Sequence, residues 1–304
     1  MEKCAGVFAF VLVMGLVAPS EAHSPPGELY FAVQFPDNAV PTIDGNISEW
    51  DIVPPTPYTI TNNRLFASDA NVNVAGRGEI DPGDMNIRHL IGWNNSDNKL
   101  YFMTEVFDNV HNTDRTNPSQ FWQDDALEVE INPDATPTTE QNLEGQPINN
   151  ISYKFAVPPV DGQYQFLRPL TNLPWLVDGS QWLDFGWSYE GEEFGESTYY
   201  YELAITPILS MPRDEATALS GLEAFDLEEN GIIHVTVNVG DFDEPCSECG
   251  CASYQGFWSM SAEPGCCSGN ADLVLAELDP QLVAAVGTAV EEVSWGQIKA
   301  GSVE

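Results

Sequence analysis

Five cysteines occur close together in the C-terminal third of the chain, and they carry the most distinctive chemistry in the sequence. They are Cys246, Cys249, Cys251, Cys266 and Cys267, which span 22 residues. In an oxidising compartment such closely spaced thiols form local disulfides that hold a loop together. The CxxCxC spacing followed by a CC pair also suits a zinc ion or an iron–sulfur cluster. Because the number is odd, at least one thiol is unpaired or bonded to another molecule.

Two glutamates, Glu128 and Glu130, stand two residues apart in an alternation of apolar and polar residues. Residues two apart on a strand share a face, so these carboxylates could flank a bond at the separation of about 5 to 9 Å that glycoside hydrolases use. The same spacing also arises on any acidic sheet surface. The sequence contains no nucleophile elbow, no phosphate-binding glycine loop and no HExxH motif, so a non-catalytic protein is the preferred interpretation.

The chain is strongly acidic, with a formal net charge of −37 from 10 Lys and Arg against 47 Asp and Glu. Nucleic acid and anionic membranes are therefore poor partners. Neutral sugars and divalent cations remain compatible, because carboxylates are hard oxygen ligands that suit calcium. The acidity would equally keep an exported protein soluble.

The chain opens like a secretory signal peptide. Lys3 precedes an apolar run that extends from Ala5 to Val17, and the small residues Ser20 and Ala22 follow. This run is shorter than the roughly 20 residues of a transmembrane helix. We therefore expect a signal peptide over residues 1–22, cleavage after Ala22, and a secreted, periplasmic or cell-surface protein.

Hydrophobic alternation with a period of two dominates the remainder of the chain and predicts β-strands. The clearest segments are Lys99–Phe107, Ala126–Ile131, Ile151–Val157, Tyr199–Ile205 and Gly231–Gly240. Clusters of Gly, Pro, Asn and Asp separate them, as is typical of turns. We predict an all-β fold: an antiparallel two-sheet β-sandwich of jelly-roll type with long loop insertions, in one domain over residues 29–278.

Two long segments are predicted to be surface excursions, and a third forms a tail. The excursions are Pro133–Asn149 and Thr206–Glu229, the second of which is expected to carry a short helix through Glu215–Leu222. The tail covers residues 279–304 and is expected to be a short helix or a docked extension. Its role is open.

Five segments in order carry a family resemblance. They are PTIDGNISEW (Pro41–Trp50), IGWNNSDNKLYFMTEVFD (Ile91–Asp108), FWQDDALEVEINPD (Phe121–Asp134), YYYELAITP (Tyr199–Pro207), and the final strands GIIHVTVNVGDFDE, FWSMSA and GNADLVLAEL. Together they resemble the family 9 carbohydrate-binding modules, which are DOMON-like β-sandwich domains often appended to polysaccharide-degrading enzymes. The run around Trp122, with its acidic pair and apolar-Glu strand, is the most distinctive of the five.

The resemblance implies a carbohydrate site. Members of the family hold a sugar ring between two tryptophans, because the C–H face of the ring stacks on aromatics while its hydroxyls need hydrogen-bond partners. By position, Trp122 corresponds to one of these tryptophans and Glu128 to the hydroxyl-binding glutamate. Lys154 stands where the family has an arginine, which keeps the charge without the bidentate geometry. Trp258 is the candidate for the second tryptophan.

The same resemblance implies structural calcium. Its candidate ligands in this chain are Asp44, Asp108, Asp124 and Asp125, although no EF-hand spacing is present. A solvated acidic surface is the alternative interpretation of these residues.

A related set of sandwiches suggests a second function, non-covalent binding of haem b for electron transfer. The available axial ligands are His89, His111, His234, Met85, Met103 and Met260. A histidine–methionine pair suits electron transfer, and the absence of a CxxCH motif rules out covalent attachment. A structural or adhesive surface role is a third possibility, and a partner glycoside hydrolase or cell-surface assembly would accompany the carbohydrate-binding function.

Overall fold

The computed structural model describes residues 23–67, 80–117, 119–135, 147–177, 179–243, 254–262 and 271–287. The predicted signal peptide and the five clustered cysteines lie outside these residues, so both remain predictions. No helix within the described ranges is both long and apolar enough to span a membrane.

The described residues form fifteen strands, numbered here in chain order. They are β1 (Tyr30–Gln34), β2 (Ile60–Thr61), β3 (Phe66–Ala67), β4 (Met85–Asn94), β5 (Lys99–Asp108), β6 (Leu127–Asn132), β7 (Ile151–Val160), β8 (Gln163–Arg168), β9 (Leu183–Gly191), β10 (Ser197–Ile205), β11 (Ile208–Ser210), β12 (Glu223–Ala224), β13 (Ile232–Phe242), β14 (Tyr254–Ser259) and β15 (Ala271–Leu275). All five strands predicted from the alternation are confirmed.

The strands form two sheets that share one strand. The order is β8-β7-β6-β13-β15-β1 in what we call the front sheet and β1-β4-β5-β10-β9 in the back sheet. Strand β14 extends the front sheet beside β13 and also pairs with β3, β2 pairs with β4, and β11 and β12 form a separate pair. The predicted all-β sandwich is confirmed. Its pairing is antiparallel except at β1, which runs parallel to both β15 and β4.

The helical content is small. Short 3₁₀ turns lie at Ile47–Ile52, Asn62–Arg64, Phe121–Gln123 and Leu219–Gly221, and a four-residue α-helix lies at Pro55–Tyr58. The helix expected over Glu215–Leu222 is wrong, because only the turn at its end is helical. In the tail, residues 280–287 are helical.

The main core lies between the two sheets, and the period-two pattern accounts for it. On β6, Leu127 and Val129 point inwards and lie opposite Phe155 and Tyr153 of β7. Val237 of β13 lies opposite Val129 on the other side. These side chains are almost completely buried in one cluster with the inward residues of β4, β5 and β10. Burial of each large apolar side chain contributes about 1.5–3 kcal/mol, so this cluster is the chief source of stability.

A second apolar cluster covers the outer face of the back sheet. Tyr101 and Met103 of β5 contact the N-terminal segment through Phe35 and Trp50, and Leu282 from the helical tail is also buried there. The rings of Phe35 and Trp50 meet edge to face with centroids 5.2 Å apart. The back sheet is therefore covered on both faces.

Glu202 on β10 fastens the N-terminal segment to the back sheet. Its carboxylate accepts hydrogen bonds from the indole N–H of Trp50 at 2.8 Å and from the backbone N–H groups of Gly45 at 2.7 Å and Asp44 at 3.2 Å. Burial raises the pKa of Glu202, and these donors act in the opposite direction. Gly186, opposite Glu202 on β9, has no side chain to hold the turn away from the sheet.

Candidate functional site

The outer face of the front sheet is polar and yet buried. Along each strand, the residues of this polar face alternate with residues that point into the core. The residues of the polar face are Glu128, Glu130, Asn132, Asn150, Ser152, Lys154, Thr236, Asn238 and Ser259, all no more than 2 % exposed. A buried polar surface of this kind is expensive to desolvate unless it has hydrogen-bond partners, so it is the first candidate for a binding site.

The strand register arranges the polar face in rows that run across the sheet. One row places Phe166, Lys154, Glu128, Asn238 and Ser259 on five neighbouring strands. The next row contains Ser152, Glu130 and Thr236 in the same way. The row on the other side of the charged pair contains the small residues Ala126 and Gly240. A backbone hydrogen bond of 2.9 Å joins these two residues.

Glu128 and Lys154 form the central charged pair of this face. The Lys154 ammonium lies 2.6 Å from a Glu128 carboxylate oxygen, and their strands place them directly opposite each other. The sequence predicted both for a site, and the structure brings them together on the same face. Because both are buried, removal of one partner would leave an uncompensated charge, which typically costs several kcal/mol.

Several neutral polar atoms on this face have no hydrogen-bond partner. Within the described part of the chain they include the side-chain amide of Asn150, the hydroxyl of Ser152 and the Asn238 carbonyl oxygen. Each buried polar atom without a partner costs about 1–3 kcal/mol. Their chemistry combines donors and acceptors, which matches a ligand whose own groups both donate and accept.

The turn that carries Trp122 closes one end of the polar face. Its neighbour Phe121 packs against Ala126, Ala156 and Phe166, all of which lie on the polar-face side. The Phe121 and Phe166 rings are stacked with centroids 6.1 Å apart. The turn that carries Trp122, the predicted stacking residue, therefore lies at the edge of the face that holds Glu128 and Lys154.

The acidic pair that follows Trp122 braces this turn. The Asp124 carboxylate accepts the backbone N–H of Arg115 at 2.9 Å and forms a buried ion pair with the guanidinium of the same residue. The Asp125 carboxylate accepts backbone N–H groups from Asn112 at 2.5 Å and Phe242 at 2.6 Å. Both aspartates were predicted as calcium ligands, and the structure gives each of them internal partners.

Trp258 lies on the other side of the sheet. It is opposite Val239 of β13 and belongs to the main core at 7 % exposure. The structure therefore does not bring Trp258 together with Glu128 and Lys154 on the polar face. Its orientation follows from the register, because its partner Val239 faces the core and alternates with Asn238 of the polar face.

A second cluster lies at the end of the core. Asp108, His111 and Asp125 are no more than 1 % exposed, and their ligand atoms lie within 4.8 Å of one another. The predicted calcium ligands Asp108 and Asp125 therefore meet. Asp44, in the N-terminal turn, and Asp124, paired with Arg115, belong to no such group in the described ranges.

Burial and the neighbouring charges shift the pKa values of the residues in and around this cluster. Burial lowers the pKa of His111, but the neighbouring carboxylates of Asp108 and Asp125 outweigh burial and raise this pKa to about 10. Burial raises the pKa of Asp125 well above its usual value. Asp241 lies nearby, and burial followed by the charges of Asp108 and Asp84 raises its pKa to about 8. Several acidic groups therefore lie together in a water-poor interior, which disfavours their charged forms.

The predicted haem ligands are dispersed over the fold. His89 faces the main core, where its Nδ1 lies 2.8 Å from the hydroxyl of Thr104, whereas Met103 belongs to the cluster on the outer face of the back sheet. His234 lies 3.0 Å from Asp272. Met85 and Met260 are both fully buried in the main core.

We expect His89→Gln to reduce the acid sensitivity of the fold. Burial lowers the pKa of His89 to about 3. The unfolded chain takes up a proton at this residue below pH of about 6.5, whereas the folded protein does not until about pH 3, so wild-type stability falls as the pH falls between these values. Over two pH units below 6.5 the wild type should lose about 2–3 kcal/mol relative to the variant. Urea titrations of both proteins at several pH values measure this difference, and parallel pH profiles would contradict it.

Several residues of both sites were missed by the sequence analysis. Asn150, Ser152 and Asn238 lie among alternating polar positions that were interpreted only as the polar sides of strands. The sequence analysis predicts His111 only as a haem ligand, but the Asp-x-x-His spacing directly after a predicted strand is a signal that places it near Asp108.

Fold and site together define an all-β, two-sheet sandwich with one buried polar face. No protein-family model matches the chain, and no curated protein matches its sequence. Solved structures similar to it include a family 9 carbohydrate-binding module from Caldicellulosiruptor kristjanssonii in complex with cellotriose, at 14 % identity and a TM-score of 0.46 over 83 % of this chain and 95 % of that one. The complex of a family 9 module from the same organism with glucose gives the same identity, TM-score and coverage of this chain, and 97 % of its own.

A candidate carbohydrate-binding protein from Bacteroides uniformis is similar at 11 % identity and a TM-score of 0.49, over 81 % of this chain and 98 % of its own. At such identities the likeness concerns the fold alone.

Proposed function

We propose that this chain is an exported, non-catalytic protein that binds a polysaccharide or oligosaccharide on the polar face of the front sheet. The observation that carries the proposal is the set of buried polar atoms of Asn150, Ser152 and Asn238 that have no hydrogen-bond partner in the described residues. A ligand with many hydroxyls would satisfy them, because each hydroxyl both donates and accepts.

The remaining residues of the face complement a sugar in the same way. The Glu128 carboxylate accepts and the Lys154 ammonium donates, so together they match the two roles of neighbouring hydroxyls. We expect Trp122, whose turn lies at the edge of the face, to supply an aromatic surface for the C–H side of the ring. Trp258 is not part of the proposed site, since its indole lies in the core.

The non-catalytic role is supported by the positions of the two candidate carboxylates. Glu128 and Glu130 are neighbours on a single strand and point to the same face. A glycosidase needs its two carboxyl groups on either side of the scissile bond. Two carboxylates on one strand approach a sugar from the same side, so this arrangement favours sugar binding over hydrolysis. A polysaccharide-degrading enzyme or a cell-surface assembly is the proposed partner.

Glycan binding by the mature protein tests the proposal. We expect binding on a glycan array, and quenching of tryptophan fluorescence by the bound sugar. Trp122→Ala should abolish both while the thermal transition is largely retained. Trp187→Ala, which changes a partly buried tryptophan of β9, is the matched control and should still bind.

Two results would contradict the proposal. One is equal binding by Trp122→Ala and wild type, which would separate recognition from this face. The other is an absence of glycan binding together with a Soret band in protein expressed with haem supply, which would favour the haem function instead.

A further inference from the structure

The cluster at the end of the core has a donor set that differs from that expected for calcium. Calcium takes six to eight oxygen ligands. Here an imidazole nitrogen stands beside two carboxylates, and Nδ1 of His111 lies 3.5 Å from Asp125 Oδ2 and 3.9 Å from Asp108 Oδ2. Imidazole combined with carboxylate is the donor set of zinc and its first-row neighbours.

The hydrogen bonding of His111 leaves one nitrogen available for a ligand. Nε2 lies 2.7 Å from the carbonyl oxygen of Val157. A carbonyl only accepts hydrogen bonds, so Nε2 carries a proton and donates it. Nδ1 is fully buried, has no hydrogen-bond partner among the described residues, and points at the two carboxylates. A metal-binding histidine typically donates its other N–H to a carbonyl or carboxylate in this way.

The two carboxylates are held in place by bonds from outside the cluster. Asp108 accepts the backbone N–H of Val110 at 2.9 Å on Oδ1 and the hydroxyl of Tyr199 at 3.4 Å on Oδ2. Asp125 accepts the backbone N–H of Phe242 at 2.6 Å on Oδ1 and that of Asn112 at 2.5 Å on Oδ2, the oxygen that faces His111. Both distances from His111 Nδ1 also fit, because two ligands that each lie about 2.1 Å from a zinc ion are at most about 4.2 Å apart.

From this geometry we infer that Asp108, His111 and Asp125 form a site for a zinc-class divalent metal ion. The ion would connect three parts of the chain: the end of β5, the loop at His111, and the turn that carries Trp122. Its role is structural, since all three ligands are closed off from solvent. The alternative is a protonated His111 that bridges the two carboxylates without a metal. The inference does not depend on sugar binding.

Metal content and metal-dependent stability test the inference directly. The mature protein is unfolded in denaturant with a chelator, and then refolded with Zn²⁺, with Ca²⁺ or with neither. We expect one zinc ion per chain by elemental analysis and a thermal transition raised by Zn²⁺ but not by Ca²⁺. Stabilisation by Ca²⁺ alone, or no change with either ion, would overturn the inference.

Variants then assign the site. His111→Gln should weaken zinc binding by more than about 100-fold, since even changes outside the ligand shell cost about 10- to 100-fold. His89→Gln is the matched control, because it alters another fully buried histidine in the same core and should leave zinc binding unchanged. Equal affinity in His111→Gln and wild type would place the ion elsewhere.

X-ray absorption on the zinc-loaded wild type tests the ligand set even if the His111→Gln variant fails to fold. The zinc-loaded protein should show a shell of nitrogen and oxygen ligands with the outer scattering of one imidazole. A spectrum with sulfur ligands would assign the zinc to the cysteine cluster, and one without imidazole would exclude His111; either result would contradict the proposed ligand set.

Discussion

Lys154→Met is expected to lower the free energy of unfolding by about 3–5 kcal/mol, the usual loss when one partner of a buried ion pair is removed. The variant leaves the Glu128 carboxylate, 2 % exposed, without the ammonium that lies 2.6 Å away. Urea or thermal unfolding of wild type and variant measures the difference. A loss below about 1 kcal/mol would mean that solvent reaches this pair, as at an exposed ion pair.

The double variant Glu128→Gln with Lys154→Met is the control for this experiment. It removes both charges, so it should recover most of the stability lost in Lys154→Met, because a neutral pair carries no uncompensated charge. Glycan binding should be lost in both proteins. Recovery of the fold without recovery of binding would separate the structural and the recognition roles of the pair.

Glu202→Leu is expected to be at least as destabilising as Lys154→Met. It removes one carboxylate that accepts hydrogen bonds from Trp50, Gly45 and Asp44, and each buried donor without an acceptor costs about 1–3 kcal/mol. We expect a loss of at least about 3 kcal/mol by urea unfolding. The N-terminal segment should also be cut early in limited proteolysis, because this carboxylate is its polar attachment to the back sheet.

Tyr200→Leu is the matched control for Glu202→Leu. Tyr200 precedes Glu202 by two residues on the same face of β10 and is only partly buried. It should unfold within about 1 kcal/mol of wild type, as most substitutions at such positions do. If both variants lose the same stability, the effect belongs to the strand and the role assigned to the carboxylate is wrong.

The sandwich could be predicted from the sequence because its signal is local. In β6 and β13 every second residue is apolar, so the strands and their inward faces follow directly from the chain. The parallel position of β1 could not be predicted in this way. It depends on β15, whose partner residues lie more than 200 positions away, as in the pairing of Tyr30 with Leu273.

The candidate site was predicted only in part, for a related reason. The faces of Glu128 and Lys154 followed from alternation, and their meeting needed only the register of adjacent strands. The interaction partners of the carboxylates could not be predicted from this alternation. Asp124 pairs with Arg115, whereas Asp125 beside it faces His111, and nothing in two consecutive aspartates distinguishes these partners. Glu202 contacts Trp50 across 152 residues of sequence.

The shared strand β1 has a consequence for how the chain is made. Synthesis runs from the N-terminus, so β1 exists long before either of its neighbours. One side is paired once β4 has emerged, but the other stays open until β15 is complete. An unpaired strand side is a template for wrong pairing with other chains. For most of synthesis, therefore, one side of β1 is unpaired in the nascent protein, until β15, the last of the described strands, has formed.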